Sequence, residues 1–219
     1  MKKLFIIILI LFSIPLYSLS GQIKNNYFGI DLIYNSVTLI DTEEAGNGYG
    51  FDLYYQSFIS DSFSYKVLLG FLYNSFTYDK SEQIYNPLLG EYQTLLYTKN
   101  EDFYNLSWAF LFNYNIFSGD LSPYLSSGLV YSFIYKNLDY SYKSAPIDFI
   151  STQEKGRWLP ATLGFPIGAG CNLKIGKKSV INFEFTYIIL FFDPTSENYG
   201  YKDLMNIKLG YMHATGFKM

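Results

Sequence analysis

The chain has 219 residues and a formal net charge of −3, with 49% hydrophobic, 21% aromatic and 16% charged residues. Soluble domains carry about 25% charged residues, so this balance argues against an ordinary soluble fold. Mild acidity and a single arginine, Arg157, argue against a nucleic-acid partner, because neutralising phosphates needs a basic patch.

The first predicted element is a leader. Lys2 and Lys3 precede an apolar core from Leu4 to about Leu16, which contains Pro15 and is followed by small Ser18 and Ser20 where a signal peptidase reads. This pattern predicts a cleaved signal peptide over 1–20, with Gly21 the first mature residue and 21–219 a single domain. The apolar core is shorter than the roughly 20 residues of a membrane helix. Cys171 is the only cysteine, so no intrachain disulfide can form, and no cysteine follows the leader to carry a lipid anchor.

Beyond the leader, apolar and aromatic residues recur at alternate positions, the period of a strand. Eight segments follow in chain order, at about 27–38, 49–60, 64–78, 102–117, 122–140, 157–175, 179–192 and 203–217. Such lengths exceed the soluble mode of about five or six residues and suit strands that cross a bilayer. The connections alternate. "SDSF" (60–63), "SGDL" (118–121) and "IGKKS" (175–179) are short, whereas 41–48, 79–101, 141–156 and 193–202 are long and polar. An even strand number with alternating tight turns and long loops is the pattern of a barrel with periplasmic turns and extracellular loops. A spanning sheet must also close, because hydrocarbon offers no partner to an open edge. The expected fold is therefore all-β: an eight-stranded antiparallel up-and-down transmembrane β-barrel with short periplasmic turns and long extracellular loops.

Strand parity then assigns the faces. Phe28, Ile30, Leu32 and Tyr34 oppose Gly29, Asp31 and Asn35. Tyr104, Leu106, Trp108, Phe110, Phe112 and Tyr114 oppose Asn105, Ser107, Ala109 and Asn113. Leu129, Tyr131, Phe133 and Tyr135 oppose Gly128 and Ser132. In "SVINFEFTYIILFF" (179–192), Ile181, Phe183, Phe185, Tyr187 and Ile189 oppose Asn182, Glu184 and Thr186. The large apolar face is the lipid face, and the small or polar one is the interior. Tyr49, Tyr78, Tyr104, Tyr114, Tyr135 and Tyr187, near segment ends, are expected at the interfaces.

"SPYLSSGLVYSF" (122–133), "FPIGAGCNLKIGKKSVINFEFTY" (165–187) and "IKLGYMHATGF" (207–217) carry Pro-Tyr-x-x-x-Gly, Gly-x-Gly and Glu-x-x-Tyr patterns. In these, essentially the whole mature chain resembles the small outer-membrane β-barrels, the group that includes the OmpA transmembrane domain and OmpX. The resemblance implies an outer-membrane location in a double-membraned bacterium. It also implies that Gly128, Gly168 and Gly170 let interior side chains pass, and that Glu184 belongs to an interior polar network. Such chains usually end on the aromatic residue that the barrel-assembly machinery reads, whereas here Lys218 and Met219 follow Phe217.

Inward parity collects Asp31, Asp52, Lys66, Glu184 and Lys208 as an interior polar network of both signs. An eight-stranded barrel is just wide enough for side chains to fill it, so a paired interior is expected rather than an open pore, with Glu184 and Lys208 as an ion pair across adjacent strands. His213, the only histidine, and Thr215 fall on the outer face, away from Glu184, so they cannot form a hydrolase triad with it. Asp41, Glu43 and Glu44 lack the spacing of a calcium loop. No catalytic, cofactor or metal site is predicted.

"YNPLLGEYQTLLYT" (85–98) places Tyr85, Leu88, Leu89, Tyr92, Leu95, Leu96 and Tyr97 on an exterior loop. They form either a hairpin packed on itself or a surface for another protein. The expected role is structural or adhesin-like surface interaction by a monomer. Its partners would be outer-membrane lipid, the assembly machinery and an extracellular protein. A narrow channel and a lipid-modifying enzyme are the alternatives.

Overall fold

A computed structural model of the chain describes residues 25–39, 45–86, 89–144, 156–159, 161–192 and 201–215. The leader 1–20, Gly21, the acidic trio Asp41, Glu43 and Glu44, and Phe217 to Met219 lie outside the described residues. The described residues form β1 Asn25–Leu39, β2 Ala45–Phe58, β3 Phe63–Asn86, β4 Glu91–Asn115, β5 Leu121–Ser144, β6 Arg157–Trp158, β7 Thr162–Ile175, β8 Ser179–Phe192 and β9 Tyr201–Thr215.

Eight of these strands have an antiparallel neighbour on both sides, in the order β1, β2, β3, β4, β5, β7, β8, β9 and back to β1. The short β6 adds to β5 through Tyr135–Trp158 and Lys136–Arg157. Directly opposed residues lead once round the ring from Asn26 through Ser57, Tyr65, Phe112, Ser127, Ile167, Tyr187 and Met205. The circuit returns to β1 at Ser36, ten residues from its start. With strands about 4.8 Å apart and rising about 3.3 Å per residue, that stagger corresponds to a strand tilt of about 40°. The β7–β8 turn closes on Gly176, whose φ of 81° lies in the left-handed region that glycine enters at no steric cost.

Side chains on the ring alternate as parity requires. The outer face of the barrel wall is a belt of exposed Phe, Leu, Ile and Tyr, while Asp31, Asp52, Lys66, Glu184 and Lys208 are buried inside. A row of directly opposed aromatics, Tyr34, Tyr49, Tyr73, Tyr104, Tyr135 and Trp158, crosses six strands. Beyond it the outward chemistry changes on all of β1 to β5. Outward positions become Ser36 and Thr38, Asn47, Ser75 and Thr77, Asn100 and Asp102, and Asn137 and Asp139. The row therefore marks the upper limit of the lipid-facing belt, where Tyr and Trp rings suit the interface. On β4 the belt runs from Tyr104 to Tyr114, about 25 Å along the axis at that tilt, which matches the apolar band of a membrane barrel.

Several boundaries differ from the sequence reading. The span 79–101 is not a loop: β3 and β4 stay paired from Phe63–Tyr114 up to Asn86–Glu91. Apolar periodicity stops at Tyr78 because the strands leave the lipid there, not because the ladder ends. Likewise β2 begins at Ala45, β5 continues to Ser144 and β9 begins at Tyr201. The remainder of the long connections, 145–155 and 193–200, lies outside the described residues. The expected 157–175 strand divides into β6, which ends at Trp158, and β7, which begins at Thr162. Tyr78 is not interfacial: it points inward and donates to Glu101 at 2.8 Å.

A closed barrel of this kind resists detergent until it is heated. Unheated protein should migrate differently from boiled protein on a denaturing gel and give a strand-dominated circular dichroism spectrum. A helix-dominated spectrum in micelles would contradict the fold.

Candidate functional site

The interior is built on rows of opposed residues in which glycines alternate with large polar side chains. One row reads Tyr124, Gly170, Glu184, Lys208 across β5, β7, β8 and β9. The Tyr124 ring lies over Gly170, where a Cβ would meet it at 2.5 Å, and its hydroxyl donates to Glu184 at 2.8 Å. A second row reads Asn182, Gly210, Asp31, Asp52, Gly70. A Cβ at Gly210 would sit 1.8 Å from Asp31 Oδ1 and 2.1 Å from Asn182 Oδ1.

Asp31 and Asp52 are thus directly opposed carboxylates on β1 and β2, a repulsive arrangement unless each has its own cation. The lysines supply it from opposite directions. Lys66 on β3 reaches Asp31 at 2.7 Å, and Lys208 on β9 reaches Asp52 at 2.7 Å. Each lysine crosses an intervening strand to find its acid. Glu184, fully buried, receives Tyr124 and Thr186 hydroxyls at 2.8 Å, a long Ser126 contact at 3.5 Å and Lys66 at 3.7 Å. Lys66 also lies 3.9 Å from the Tyr54 ring centroid, and the Tyr54 hydroxyl donates to Asn182.

Glu184 and Lys208 are directly opposed in register, as expected, but the Lys208 ammonium pairs with Asp52 at 2.7 Å, and the lysine nearest the Glu184 carboxylate is Lys66 at 3.7 Å. The expected Glu184–Lys208 pair is corrected accordingly. Register brought these residues together, and the length of the lysine stem decided the partner.

Apolar side chains close both ends of this polar layer. Tyr27, Val180 and Met212 lie on the periplasmic side, and Val37, Phe76, Phe103, Ile134, Ile188 and Leu204 on the other; all are buried. A cavity of about 30 Å3 beside Asp52, Asn105 and Lys208 has room for a single water. A second, of about 100 Å3, lies at the periplasmic mouth between Asp61, Asn115 and Lys174 and is floored by Val180 and Met212.

Above the aromatic row, β3, β4 and β5 continue as a projecting three-stranded sheet. Its outward face is polar, with Thr98 donating to Asp79 at 2.7 Å and Lys143 pairing with Asp79 at 2.7 Å. The Lys143 ammonium and then the Thr98 hydroxyl hold the Asp79 carboxyl below the usual carboxylate range. Because that pair is exposed, it adds little stability, and that little is present above the ordinary Asp pKa and lost as pH falls. The opposite face carries Tyr97, its ring tilted against those of Tyr140 and Tyr142, with its hydroxyl donating to Glu82 at 2.5 Å. Burial, and then the Glu82 carboxylate, raise the Tyr97 phenol above its ordinary value. At the mouth, Glu101 accepts from both Lys99 at 2.6 Å and Lys136 at 3.0 Å.

No protein-family model matches the chain, and no curated protein matches it. Solved structures do. Neisserial surface protein A superposes with a TM-score of 0.52 at 9% identity, over 88% of this chain and 99% of that one. Ail, the attachment invasion locus protein of Yersinia pestis, gives 0.48 at 14% identity over 88% and 99% of the two chains. The outer membrane protein OprG of Pseudomonas aeruginosa gives 0.47 at 12% identity over 90% and 98%. The fold is that of a small outer-membrane β-barrel.

In this outer-membrane barrel fold the residues expected on the exterior loop separate. Tyr85, Leu89, Tyr92 and Leu96 are exposed, with the Tyr85 and Tyr92 rings 5.3 Å apart across the hairpin tip. Leu95, at 2%, and Tyr97, at 7%, are buried on the other face, a correction that follows from strand alternation. Leu88 lies outside the described residues. Sequence reasoning put Asn182 on the interior face without joining it to the network, and missed Tyr124 and Tyr54 as members altogether. Their parity was readable, but the glycines opposite them, which make room for them, were the only signal of contact.

The interior pairs are testable by double-mutant cycles in urea. Asp52→Asn and Lys208→Met should each cost about 3–5 kcal/mol, with the double variant recovering most of the loss. The Glu184→Gln and Lys208→Met effects should come much closer to adding. Equal coupling in the two cycles would contradict the pairing. Gly210→Ala, which drives a methyl into Asp31, should destabilise the barrel by about 1–3 kcal/mol.

Proposed function

We propose that the chain is an exported outer-membrane barrel, freed of its signal peptide, inserted as a monomer by the barrel-assembly machinery, and acting as a structural or adhesin-like surface protein. The observation that carries this reading is the projecting β3–β5 sheet. It extends past the lipid belt and ends in the exposed Tyr85, Leu89, Tyr92 and Leu96 cluster. Contiguous exposed apolar groups with a polar surround are the mark of a contact surface, and a paired sheet holds them with less conformational entropy to lose than a free loop. The apolar layers on either side of the interior charges favour this reading over a narrow channel, since ions would have to pass buried Phe76 and Phe103. No catalytic step is part of the reading.

The hairpin can be shortened at the Asp79–Thr98 pair with a two-residue turn. Cells carrying that variant should keep the heat-dependent gel shift but lose adherence to protein-coated surfaces, down to the level of cells lacking the chain. Unchanged adherence, or stepwise conductance of the purified barrel in planar bilayers, would overturn the proposal.

A further inference from the structure

The periplasmic rim of the lipid face is not uniform. At the β1–β2 end, the outward-parity Asn26 and Ser57 are buried and bonded to each other, Ser57 Oγ donating to Asn26 at 2.9 Å. At the β8–β9 end the outward polar groups are open. Ser179 and His213 are directly opposed, with Ser179 Oγ 3.1 Å from His213 Nδ1 and 3.0 Å from the Tyr211 hydroxyl. Tyr211 and His213 are exposed and Ser179 is half-buried. Ile181, Phe183 and Leu209 continue the same outer surface towards the bilayer centre. The cluster therefore sits where acyl chains give way to headgroups.

Charge distinguishes this end from the others. The β7–β8 turn carries exposed Lys177 and Lys178 with no acid, and the Lys178 carbonyl accepts the Ala214 amide, which ties the turn to the base of β9 beside His213. The other two short turns carry acids, Asp61 and Asp120. With His213 Nδ1 turned to Ser179, Nε2 is the ring nitrogen left to meet a ligand.

We propose that Ser179, Tyr211, His213 and Lys178 form a headgroup site for the phosphodiester of an anionic phospholipid in the inner leaflet. Hydroxyl, imidazole and ammonium groups can all donate to a phosphate oxygen, and the adjacent apolar belt receives the acyl chains. Two lysines with no acid in their own turn favour a lipid with net negative charge over a zwitterionic one. A serine hydrolase site is a poorer account of the same contacts. Nδ1 is spent on Ser179, and the acid on the adjacent strand, Glu184, points to the opposite face of the sheet. The proposal rests on the reading of the chain as a closed membrane-spanning barrel, whose closure the gel shift checks independently.

His213 is the only histidine, so its imidazole is an unambiguous reporter. The chain from Gly21 onward, refolded in phosphate-free octyl glucoside and shown to be heat-modifiable, is titrated at fixed pH with short-chain phosphatidylglycerol, short-chain phosphatidylcholine and inorganic phosphate while the imidazole is followed by NMR. A saturable shift with phosphatidylglycerol, weaker with phosphatidylcholine and absent with inorganic phosphate, is expected. Lys178→Ser, in an exposed turn, should weaken that affinity about fivefold. Equal responses to the two lipids, a response to inorganic phosphate alone, no saturable shift, or an unchanged affinity in Lys178→Ser would each overturn the proposal.

Discussion

Backbone hydrogen bonding in hydrocarbon is the constraint on which this structure depends. A strand that crosses lipid has no water for its N–H and C=O groups, so both edges of the sheet must find each other. Pairing between β1 and β9 satisfies that demand and fixes the strand number and stagger. Those two quantities set the width of the interior, which is too narrow for bulk water and must be filled by side chains.

Filling it with charged groups raises a second problem, since buried charges need partners. Three carboxylates, Asp31, Asp52 and Glu184, share two lysines, and the balance around Glu184 is made up by hydroxyl donors from Tyr124, Thr186 and Ser126. Glycines opposite the largest polar groups make the arrangement possible, because only a residue without a Cβ leaves the space that the Tyr124 ring and the Asp31 carboxylate occupy. The apolar layers at either end then shield the polar layer. A plug of this kind ties the barrel wall together from within, and both contacts proposed above lie on its surfaces, the projecting sheet outside and the headgroup-level rim beneath.

Much of this was legible in the sequence, for a physical reason. A lipid on one side and a packed interior on the other impose the strongest alternation a strand can show, so parity placed Asp31, Asp52, Lys66, Glu184 and Lys208 inside without any structure. The β3–β4 extension was hidden by the same logic. Once Thr77, Asp79 and Ser81 face water instead of lipid, the apolar period disappears while the ladder persists. Ion-pair partners were also beyond sequence reach. Opposition in register suggested Glu184 with Lys208, but a lysine stem spans more than one strand and can choose an acid further round the ring. Leu95 and Tyr97 read as exposed for a related reason, since a loop has no inner face and a paired strand does, whereas Tyr78 was placed at the interface by its position at a segment end although it shares the inward parity of Lys66.

Closure is the claim on which everything else stands, and amide hydrogen exchange along β1 tests it most directly. In a strand bonded on both sides, successive amides from Phe28 to Tyr34 face β2 and β9 in turn. The closed ring predicts slow exchange at every one of them in detergent-solubilised protein. An alternation of slow and fast amides along that stretch, as at the edge of an open sheet, would contradict the account.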